Sequence, residues 1–325
     1  MKYTYQYLEA EWTKKYWNFT QNNMKDLFWE FLYRNPNITW DYLQNSYCEK
    51  EKWEQFYISQ NPNLTWEIHQ NNPVIGWKWN MSEHPSVTWE IIQNNPKQKW
   101  NFRYVSENPN ITWDIIQNNL DRDWDWEILS GNPNITWDII QNNPDFHWDY
   151  MIFSRNPNLT WDIVQNNPDI DWDWEELSKH PNITWDIIKN NPNSDWYDYQ
   201  IAENPNITID IIRNNPEQSW HFSRISTNPS ITWENIIDNP DIFCNWTKIS
   251  LNPNITWEII QNNPDKEWDW ESISENTMKQ GKELWIHSKL FKRIKALQIQ
   301  RHWRNCTNNP EYKLAQKLII NKLNI

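Results

Sequence analysis

The chain has 325 residues and a formal net charge of −13 at neutral pH, and it contains 28 Trp but only 3 Gly. A chain of this length would ordinarily form two globular domains, but internal repetition overrides that expectation. The acidic excess argues against broad nucleic-acid binding, because an acidic surface repels phosphate. Cys48, Cys244 and Cys306 lie far apart without metal-ligand or disulfide spacing, which is typical of a reducing compartment.

Residues 1–34 contain large aromatic residues, such as Trp12, Trp17 and Trp29, without clear repeat spacing. We predict that they form a helical cap on the open face of the first repeat. The segment has no apolar signal-peptide core, and nowhere does an apolar run reach the length that crosses a bilayer. We therefore expect an intracellular protein that is not secreted and has no membrane span.

A 24-residue repeat dominates residues 35–275. Its clearest mark is a Thr-Trp pair that recurs at intervals of 26, 23 and then 24 residues, with one Trp replaced by Ile. The second residues of these pairs are Trp40, Trp66, Trp89, Trp113, Trp137, Trp161, Trp185, Ile209, Trp233 and Trp257. Such regular self-similarity predicts an all-α solenoid of about ten stacked two-helix repeats.

The repeat that begins at Asn132 shows how each unit divides into two helices. Asn-Pro dipeptides beginning at Asn132 and Asn143 separate two short helical segments, because the residue before Pro avoids the helical conformation. Thr136 has the position and the hydroxyl of an N-cap, and Asp138 in the first turn complements the helix dipole. The motif is therefore a helix-start signal and needs no catalytic explanation.

The second segment of each repeat opens with Asp and aromatic residues, as in Asp171 to Trp174, and the sequence leaves open whether it is an α-helix or a 3₁₀-helix. Both segments have only about eight residues, which is too short for stability in isolation, so stacking must hold them. We expect a row of Trp to face the neighbouring repeats and build the structural repeat core. This row comprises Trp89, Trp113, Trp137, Trp161, Trp185, Trp233 and Trp257. With helix layers about 8 to 10 Å apart, ten copies would form a rod or shallow superhelix on the order of 90 Å long.

The recurring unit Asn-Pro-Asn-Ile-Thr-Trp-Asp-Ile-Ile-Gln-Asn-Asn-Pro-Asp resembles the tryptophan-rich repeat proteins of giant, mimivirus-like DNA viruses. The resemblance covers about Asn35 to Glu275 and carries over no catalytic residues. It implies a viral protein in the host cytoplasm of an infected cell or in the virion. The 24-residue period is also distantly similar to the leucine-rich repeat variant, a superhelix of alternating α- and 3₁₀-helices, although the Trp-Asp-Trp segment departs from that pattern.

Residues 276–325 form a tail in which the charge reverses. From Lys279 onward there are eleven Lys or Arg and two Glu, a balance of +9, so the preceding residues carry −22 of the total of −13. Apolar and basic residues alternate as in a basic amphipathic helix. The candidate partner-binding residues are Leu290, Lys292, Arg293, Ile294, Leu297, Trp303 and Arg304.

Two further resemblances and one alternative apply to this tail. Ile299 to Arg304 resembles the start of an IQ motif, which implies a calmodulin-like partner, although Asn305 replaces the usual Gly. Ile299 to Leu318 also resembles a short basic module at the ends of assorted large-DNA-virus proteins. The alternative is a C-terminal pair of capping helices that closes the solenoid while its Lys and Arg stay solvated.

No pattern in the sequence predicts an enzyme, a cofactor site or a metal site. A carboxylate that recurs at the same position of successive repeats indicates a structural role, because catalysis needs a single site. Such carboxylates are Asp114, Asp138, Asp162 and Asp186. The three Gly are isolated, which excludes a Gly-rich phosphate loop. The seven His do not recur at one repeat position, and we expect them on the surface.

The architecture and the charge together predict a monomeric, non-enzymatic scaffold that presents a long acidic surface to a basic protein partner. Nucleic acid would contact only the basic tail. The alternative is a structural or packaging component of a virion, in which the solenoid itself is the function.

Overall fold

In a computed structural model, the protein is described over residues 2–45, 60–72 and 81–308. Every regular element within these ranges is helical, and none is a strand. Many short helices rich in Trp recur at regular spacing, so the chain is an all-α helical repeat solenoid. The tail beyond residue 308, including part of the segment from Ile299 to Leu318, lies outside the described residues.

The first helix of each repeat, called the A helix here, begins at the second residue of the Thr-Trp pair. The A helices are Trp40–Asn45, Trp66–Asn71, Trp89–Asn94, Trp113–Gln117, Trp137–Asn142, Trp161–Asn166, Trp185–Asn190, Ile209–Asn214, Trp233–Ile237 and Trp257–Asn262. In the example repeat, the Thr136 hydroxyl accepts a hydrogen bond from the Ile139 amide at 3.4 Å, which confirms the predicted N-cap.

The second helix of each repeat, called the B helix, precedes the next Asn-Pro turn. The described B helices are Trp29–Leu32, Met81–Glu83, Phe102–Glu107, Trp126–Ser130, Tyr150–Phe153, Trp174–Lys179, Asp198–Ile201, Phe222–Ile225, Trp246–Ser250 and Trp270–Glu275. Met81–Glu83 is a 3₁₀-helix and the other nine are α-helices. Asp149 begins one of them by accepting a hydrogen bond from the Ile152 amide at 2.8 Å.

Aliphatic side chains form the fully buried core between the A and B helices. In one repeat these are Ile111, Ile116 and Leu129, each 0% exposed. The Ile before the capping Thr and the Ile in the A helix are therefore both buried in the core of the repeat, at the two positions of a hydrophobic staple. The B helix closes this core with its Leu, and the pattern repeats along the chain.

A ladder of buried Asn side chains joins each repeat to the one before it. Asn156 is 0% exposed, and its Nδ2 donates to the carbonyl oxygens of Ser130 at 2.8 Å, Asn132 at 3.0 Å and Ile135 at 3.1 Å. Its Oδ1 accepts the Asn158 amide at 2.9 Å. One side chain thus satisfies backbone groups that the ends of such short helices leave without partners.

Two His side chains occupy positions in this Asn ladder. His180 is 3% exposed, its Nε2 lies 3.1 Å from the Asn156 carbonyl oxygen, and its Nδ1 accepts the Asn182 amide at 3.1 Å. His84 is 5% exposed and lies in the same way against the Asn61 carbonyl. The prediction that all His lie on the surface and share no repeat position is therefore wrong for these two, because imidazole reproduces one donor and one acceptor of Asn.

The ladder closes on itself. Asn35 at the start of the first repeat donates to the Ser274 carbonyl at 3.2 Å and the Asn276 carbonyl at 3.1 Å, which belong to the last repeat. Asn37 donates to the Thr277 carbonyl at 2.7 Å, just as Asn158 donates to the Pro133 carbonyl at 2.8 Å. The ladder residues are Asn35, Asn61, His84, Asn108, Asn132, Asn156, His180, Asn204, Asn228, Asn252 and Asn276.

The solenoid is therefore a closed ring of eleven units, and the predicted open rod or superhelix is wrong. The seam repeats the hydrogen bonds of the internal junctions, so eleven steps return to the start without a net rise along the axis. B helices of neighbouring repeats pack directly on each other, and Trp270–Glu275 packs on Trp29–Leu32 at the seam in the same way. Since the inside of a ring has the shorter perimeter, these closely spaced helices line it. With helix spacings of about 8 to 10 Å, eleven repeat units make a circle about 30 Å in diameter at the layer of the B helices.

The two ends of the chain share the unit that closes the ring. The C-terminal helix, Lys279–Asn308, begins two residues before the position where the A helix of an eleventh repeat would begin, and the Gly281 amide donates to the Pro253 carbonyl at 3.0 Å. The N-terminal helix, Lys2–Asn22, packs against the C-terminal helix. It therefore joins both ends of the repeat array rather than covering the first repeat alone.

Trp12 in the N-terminal helix marks the seam most clearly. It is 0% exposed, and its Nε1 donates to Asn37 Oδ1 at 3.1 Å in the first repeat. Its ring also lies 5.9 Å from the ring of Trp257 in the last repeat and 5.7 Å from that of Trp285. One buried side chain thus ties the first repeat, the last repeat and the C-terminal helix together. Among the residues described, none of the helices is long and apolar enough to cross a membrane.

Candidate interaction grooves

The Trp residues of the A helices lie at the junctions between repeats. Of the sequence-predicted row, Trp257 is 8% exposed, and the half-buried members are Trp89, Trp113, Trp137, Trp161, Trp185 and Trp233. Each contacts an aromatic ring of the following unit, for example Trp161 on Trp196 at a centroid distance of 5.5 Å. Because these Trp side chains are only half-buried, part of their aromatic surface is exposed to solvent.

A cluster of three aromatic rings forms at these junctions. Trp161 comes from an A helix, Trp174 begins the B helix of the same repeat, and Trp196 comes from the A–B loop of the next repeat. Trp174 and Trp196 meet edge to face at 5.1 Å, and Trp161 lies 6.4 Å from Trp174. The same arrangement recurs with Trp113, Trp126 and Trp148, and with Trp233, Trp246 and Trp268.

The sequence pattern placed this loop Trp at the start of the second helical segment, as at Trp172, and not in the predicted Trp row. The Trp196 indole Nε1 donates to the Asn191 carbonyl at 2.8 Å, and Trp148 donates to Asn143 in the same way at 2.8 Å. This bond fixes the A–B loop against the preceding A helix. A second Trp eleven residues after most Thr-Trp pairs was the available signal, but its pairing with the next repeat depends on stacking that the sequence does not encode locally.

Open grooves lie beside these aromatic clusters and carry carboxylates. One groove of about 490 Å³ is lined by Met151, Asp171, Trp172, Asp173, Trp174, Asp195, Trp196 and Tyr197. Asp171 and Asp195 are exposed, whereas Asp173 caps the B helix by accepting the Glu175 and Glu176 amides. The groove therefore combines an aromatic floor with carboxylates around it.

A second groove, of about 860 Å³, occupies the equivalent place two repeats earlier. Its lining includes Phe102, Trp124 and Trp126 together with Asp123 and Asp125. Lys99, Arg103 and His147 also line it, so its charge is mixed. The Arg103 side chain lies 3.3 Å from Asp125 Oδ2, which partly neutralises that carboxylate.

At three junctions, the aromatic residue that begins the B helix is covered by the residue 20 positions later in the chain. Arg122 lies over the Phe102 ring at 5.9 Å, and Lys266 lies over the Trp246 ring at 6.0 Å. Phe146 stacks on Trp126 at 3.7 Å. At these three junctions, a cation or another aromatic ring therefore covers the face of the aromatic residue.

The carboxylates at the starts of the A helices form a separate row. Asp114, Asp138, Asp162 and Asp186 are all exposed. Each lies in the first helical turn, where it complements the helix dipole. Among the described residues, no group of three or more His, Cys, Asp or Glu is arranged to hold a metal ion.

The tail residues lie along the outer part of the C-terminal helix. Ile286 is 0% exposed and attaches the start of this helix to the ring. Leu290 is half-buried, whereas the remaining candidates are exposed: Lys292, Arg293, Ile294, Leu297, Trp303 and Arg304. Ile294 is 43% exposed and Leu297 is 56% exposed. At 100° per residue, Leu290, Ile294 and Leu297 all lie within about 80° of Ile286, so they continue the face by which the helix docks on the ring.

Comparison of the chain with models of protein families, with curated proteins and with solved structures found no match.

Proposed function

We propose that this protein is a non-enzymatic scaffold that binds basic protein partners at acidic, aromatic grooves on the rim of its ring. The observation that supports this proposal most directly is the groove at Trp174, where aromatic rings and carboxylates lie side by side. Lys and Arg side chains are attracted by both groups, since a cation gains energy over an aromatic face and beside a carboxylate.

The ring architecture supplies the second part of the proposal. The described junctions are held by buried Asn or His side chains, and aromatic clusters reinforce several of them, so the grooves occupy fixed positions relative to one another. Several weak contacts at fixed spacing raise the overall affinity for an extended basic segment through high effective concentration. The excess of −22 outside the tail accelerates the approach of such a partner.

The C-terminal helix is a second surface within the same proposal. Ile294 and Leu297 are exposed on one stripe, and Lys292, Arg293 and Lys295 lie beside it. The stripe continues the face that docks on the ring at Ile286, but it is exposed at Ile294 and Leu297. An acidic amphipathic partner, such as a calmodulin-like protein, is the occupant that its chemistry fits.

Affinity capture with the full-length protein as bait tests the scaffold proposal. An unrelated ring or solenoid protein of equal negative charge serves as the control bait, and capture is repeated at low and at physiological salt. We expect basic proteins or basic segments that the control does not recover, with binding that weakens as salt rises. Recovery of the same set by both baits would contradict the proposal, because the charge alone would then explain the binding.

A further inference from the structure

At five junctions of the ring, the residue that begins the B helix is aromatic and contacts two Trp side chains. Trp174, for example, lies 6.4 Å from Trp161 of its own A helix and 5.1 Å from Trp196 of the next A–B loop. The same pair of contacts is made by Phe102, Trp126, Tyr150 and Trp246. An aromatic ring at this position is therefore part of the regular packing of the repeats.

The repeat whose A helix is Trp185–Asn190 lacks this ring. Its B helix begins at Asp198, although Trp185 and the Trp of the next loop, Trp220, are both present and lie 5.3 Å apart. The A–B loop of the same repeat carries Ser194 where the corresponding residue of other described repeats is Gln, Arg, Phe, Ile or Lys. Two short side chains therefore coincide in one repeat, at positions that other repeats fill with larger ones.

A cavity of about 320 Å³ lies at this place, and both short residues, Ser194 and Asp198, line it. We call it the Asp198 cavity. Ile188 and Ile201 in its wall are 5% and 2% exposed, so the cavity reaches the core of the repeat. The apolar part of the wall is formed by Trp185, Ile188, Pro192, Trp196 and Ile201.

We propose that the Asp198 cavity binds one aromatic side chain, Trp or Tyr, of a partner protein. The chemistry of this occupant is inferred from the chain itself, because an aromatic ring holds the corresponding position at five other junctions. The partner's ring takes the place beside Trp185 that Asp198 leaves unfilled. This inference rests on the proposed scaffold function and names an anchoring site for the partner.

The size of the Asp198 cavity suits a single ring. Its volume of about 320 Å³ lies at the lower end of the range for ligand pockets, which begins at roughly 300 Å³. An apolar protein cavity of about 150 Å³ already holds benzene, so the larger Trp and Tyr side chains have enough room here. The cavity therefore fits one aromatic side chain better than a larger ligand.

The polar groups of the cavity favour a ring that carries a hydrogen-bond donor. Asp198 is exposed, and its Oδ1 accepts a hydrogen bond from Gln218 Nε2 at 2.8 Å. A carboxylate can accept further hydrogen bonds, and the indole N–H of Trp or the hydroxyl of Tyr supplies the donor. Lys189 also lines the cavity, but its Nζ donates to Asn215 Oδ1 at 3.5 Å. We therefore expect the cavity to prefer Trp and Tyr over Phe.

The test uses acetyl-tryptophan amide and acetyl-tyrosine amide as probes, with acetyl-leucine amide as the control that is apolar but not aromatic. The full-length protein is labelled with ¹⁵N, and the indole signal of Trp185 is assigned from its loss in Trp185→Phe. We expect the two aromatic probes to shift this signal in a saturable manner. The leucine probe should bind at least tenfold more weakly, and acetyl-phenylalanine amide more weakly than the tyrosine probe.

Three variants separate binding in the cavity from binding elsewhere on the ring. Asp198→Trp restores the ring found at Trp174 and should weaken binding of the aromatic probes at least tenfold. Thr247→Trp is the matched control, because it adds a Trp at an exposed B-helix position away from the cavity and should leave probe binding unchanged. Asp198→Ala keeps the cavity but removes the carboxylate, so it should abolish the preference for the tyrosine probe over the phenylalanine probe. Unchanged signals of the other indoles report an intact ring in each variant.

Equal binding of the leucine and tryptophan probes, or full binding of the tryptophan probe to Asp198→Trp, would overturn the inference. An Asp198→Trp bait that captures every partner of the natural protein would also overturn it, while the scaffold proposal would stand. If the probes bind as expected but the natural protein recovers no partner beyond the control bait, the aromatic site stands and the scaffold proposal fails.

Discussion

Replacing Asn156 by Ala tests whether the buried Asn ladder holds the ring together. The Asn156 side chain donates to three carbonyls and accepts from the backbone amide and the Nδ2 of Asn158, but these groups do not depend on it equally. The Asn132 carbonyl also accepts the Ile135 amide, and the Ile135 carbonyl also accepts Asn158 Nδ2. The substitution therefore removes the donor to Ser130 and the acceptor for the Asn158 amide.

Each buried polar group left without a partner costs about 1 to 3 kcal/mol, so Asn156→Ala should lower the free energy of unfolding by about 2 to 6 kcal/mol. Asn156→His is the matched control, because His180 occupies the same position in the next repeat. An imidazole there accepts a hydrogen bond from the Asn158 amide and leaves only the Ser130 carbonyl without a donor. This substitution should therefore lower the free energy of unfolding by about 1 to 3 kcal/mol.

Urea unfolding followed by circular dichroism measures both variants against the natural protein. The expected order of stability is the natural protein, then Asn156→His, then Asn156→Ala. An Ala variant within about 0.5 kcal/mol of the natural protein, the scale of an ordinary surface substitution, would refute the role assigned to the ladder. A His variant less stable than the Ala variant would refute the assignment of the individual hydrogen bonds.

Three further predictions concern the seam, the buried His and the tail. A Cβ at Gly281 would lie 2.3 Å from Thr256 Cγ2, so Gly281→Ala should destabilise the ring by about 1 to 3 kcal/mol in urea unfolding. Gly131→Ala, whose closest contact is 3.1 Å, is the milder control, and equal effects would contradict the tight approach at the seam. Burial lowers the pKa of His84 and His180 below the usual value of 6.5. As the pH falls, these His are therefore protonated in the unfolded chain before they are protonated in the folded chain. The stability that the neutral His contribute is present above pH 6.5 and is lost as the pH falls below that value. Changing both to Asn, the residue used elsewhere in the ladder, should reduce the loss of stability between about pH 6.5 and 5, and unfolding curves of unchanged pH dependence would contradict this. Deleting residues 291–325 should leave the melting temperature nearly unchanged, whereas deleting 279–325 removes buried Ile286, opens the seam and should lower the melting temperature and promote self-association. Equal melting temperatures for the two deletions would show that the start of the C-terminal helix does not stabilise the ring.

The short-range features of the repeat were predictable from the residues alone. The period, the two helices per unit and the N-cap at Thr136 all depend on groups within a few positions of each other, and the structure contains each of them. The boundaries set by Asn-Pro follow from the same local restriction on the residue before Pro. The sequence pattern predicts these local features reliably because the same residue types recur at the same positions in each repeat.

The features that depend on the relation between repeats were decided by the tertiary structure. Closure of the ring requires the small rotation between neighbours to sum to one full turn without a net rise, and that rotation depends on packing at every junction. Asn35 gives no sign in the sequence that its partners are Ser274 and Asn276, because equivalent Asn residues bond to the repeat just before them.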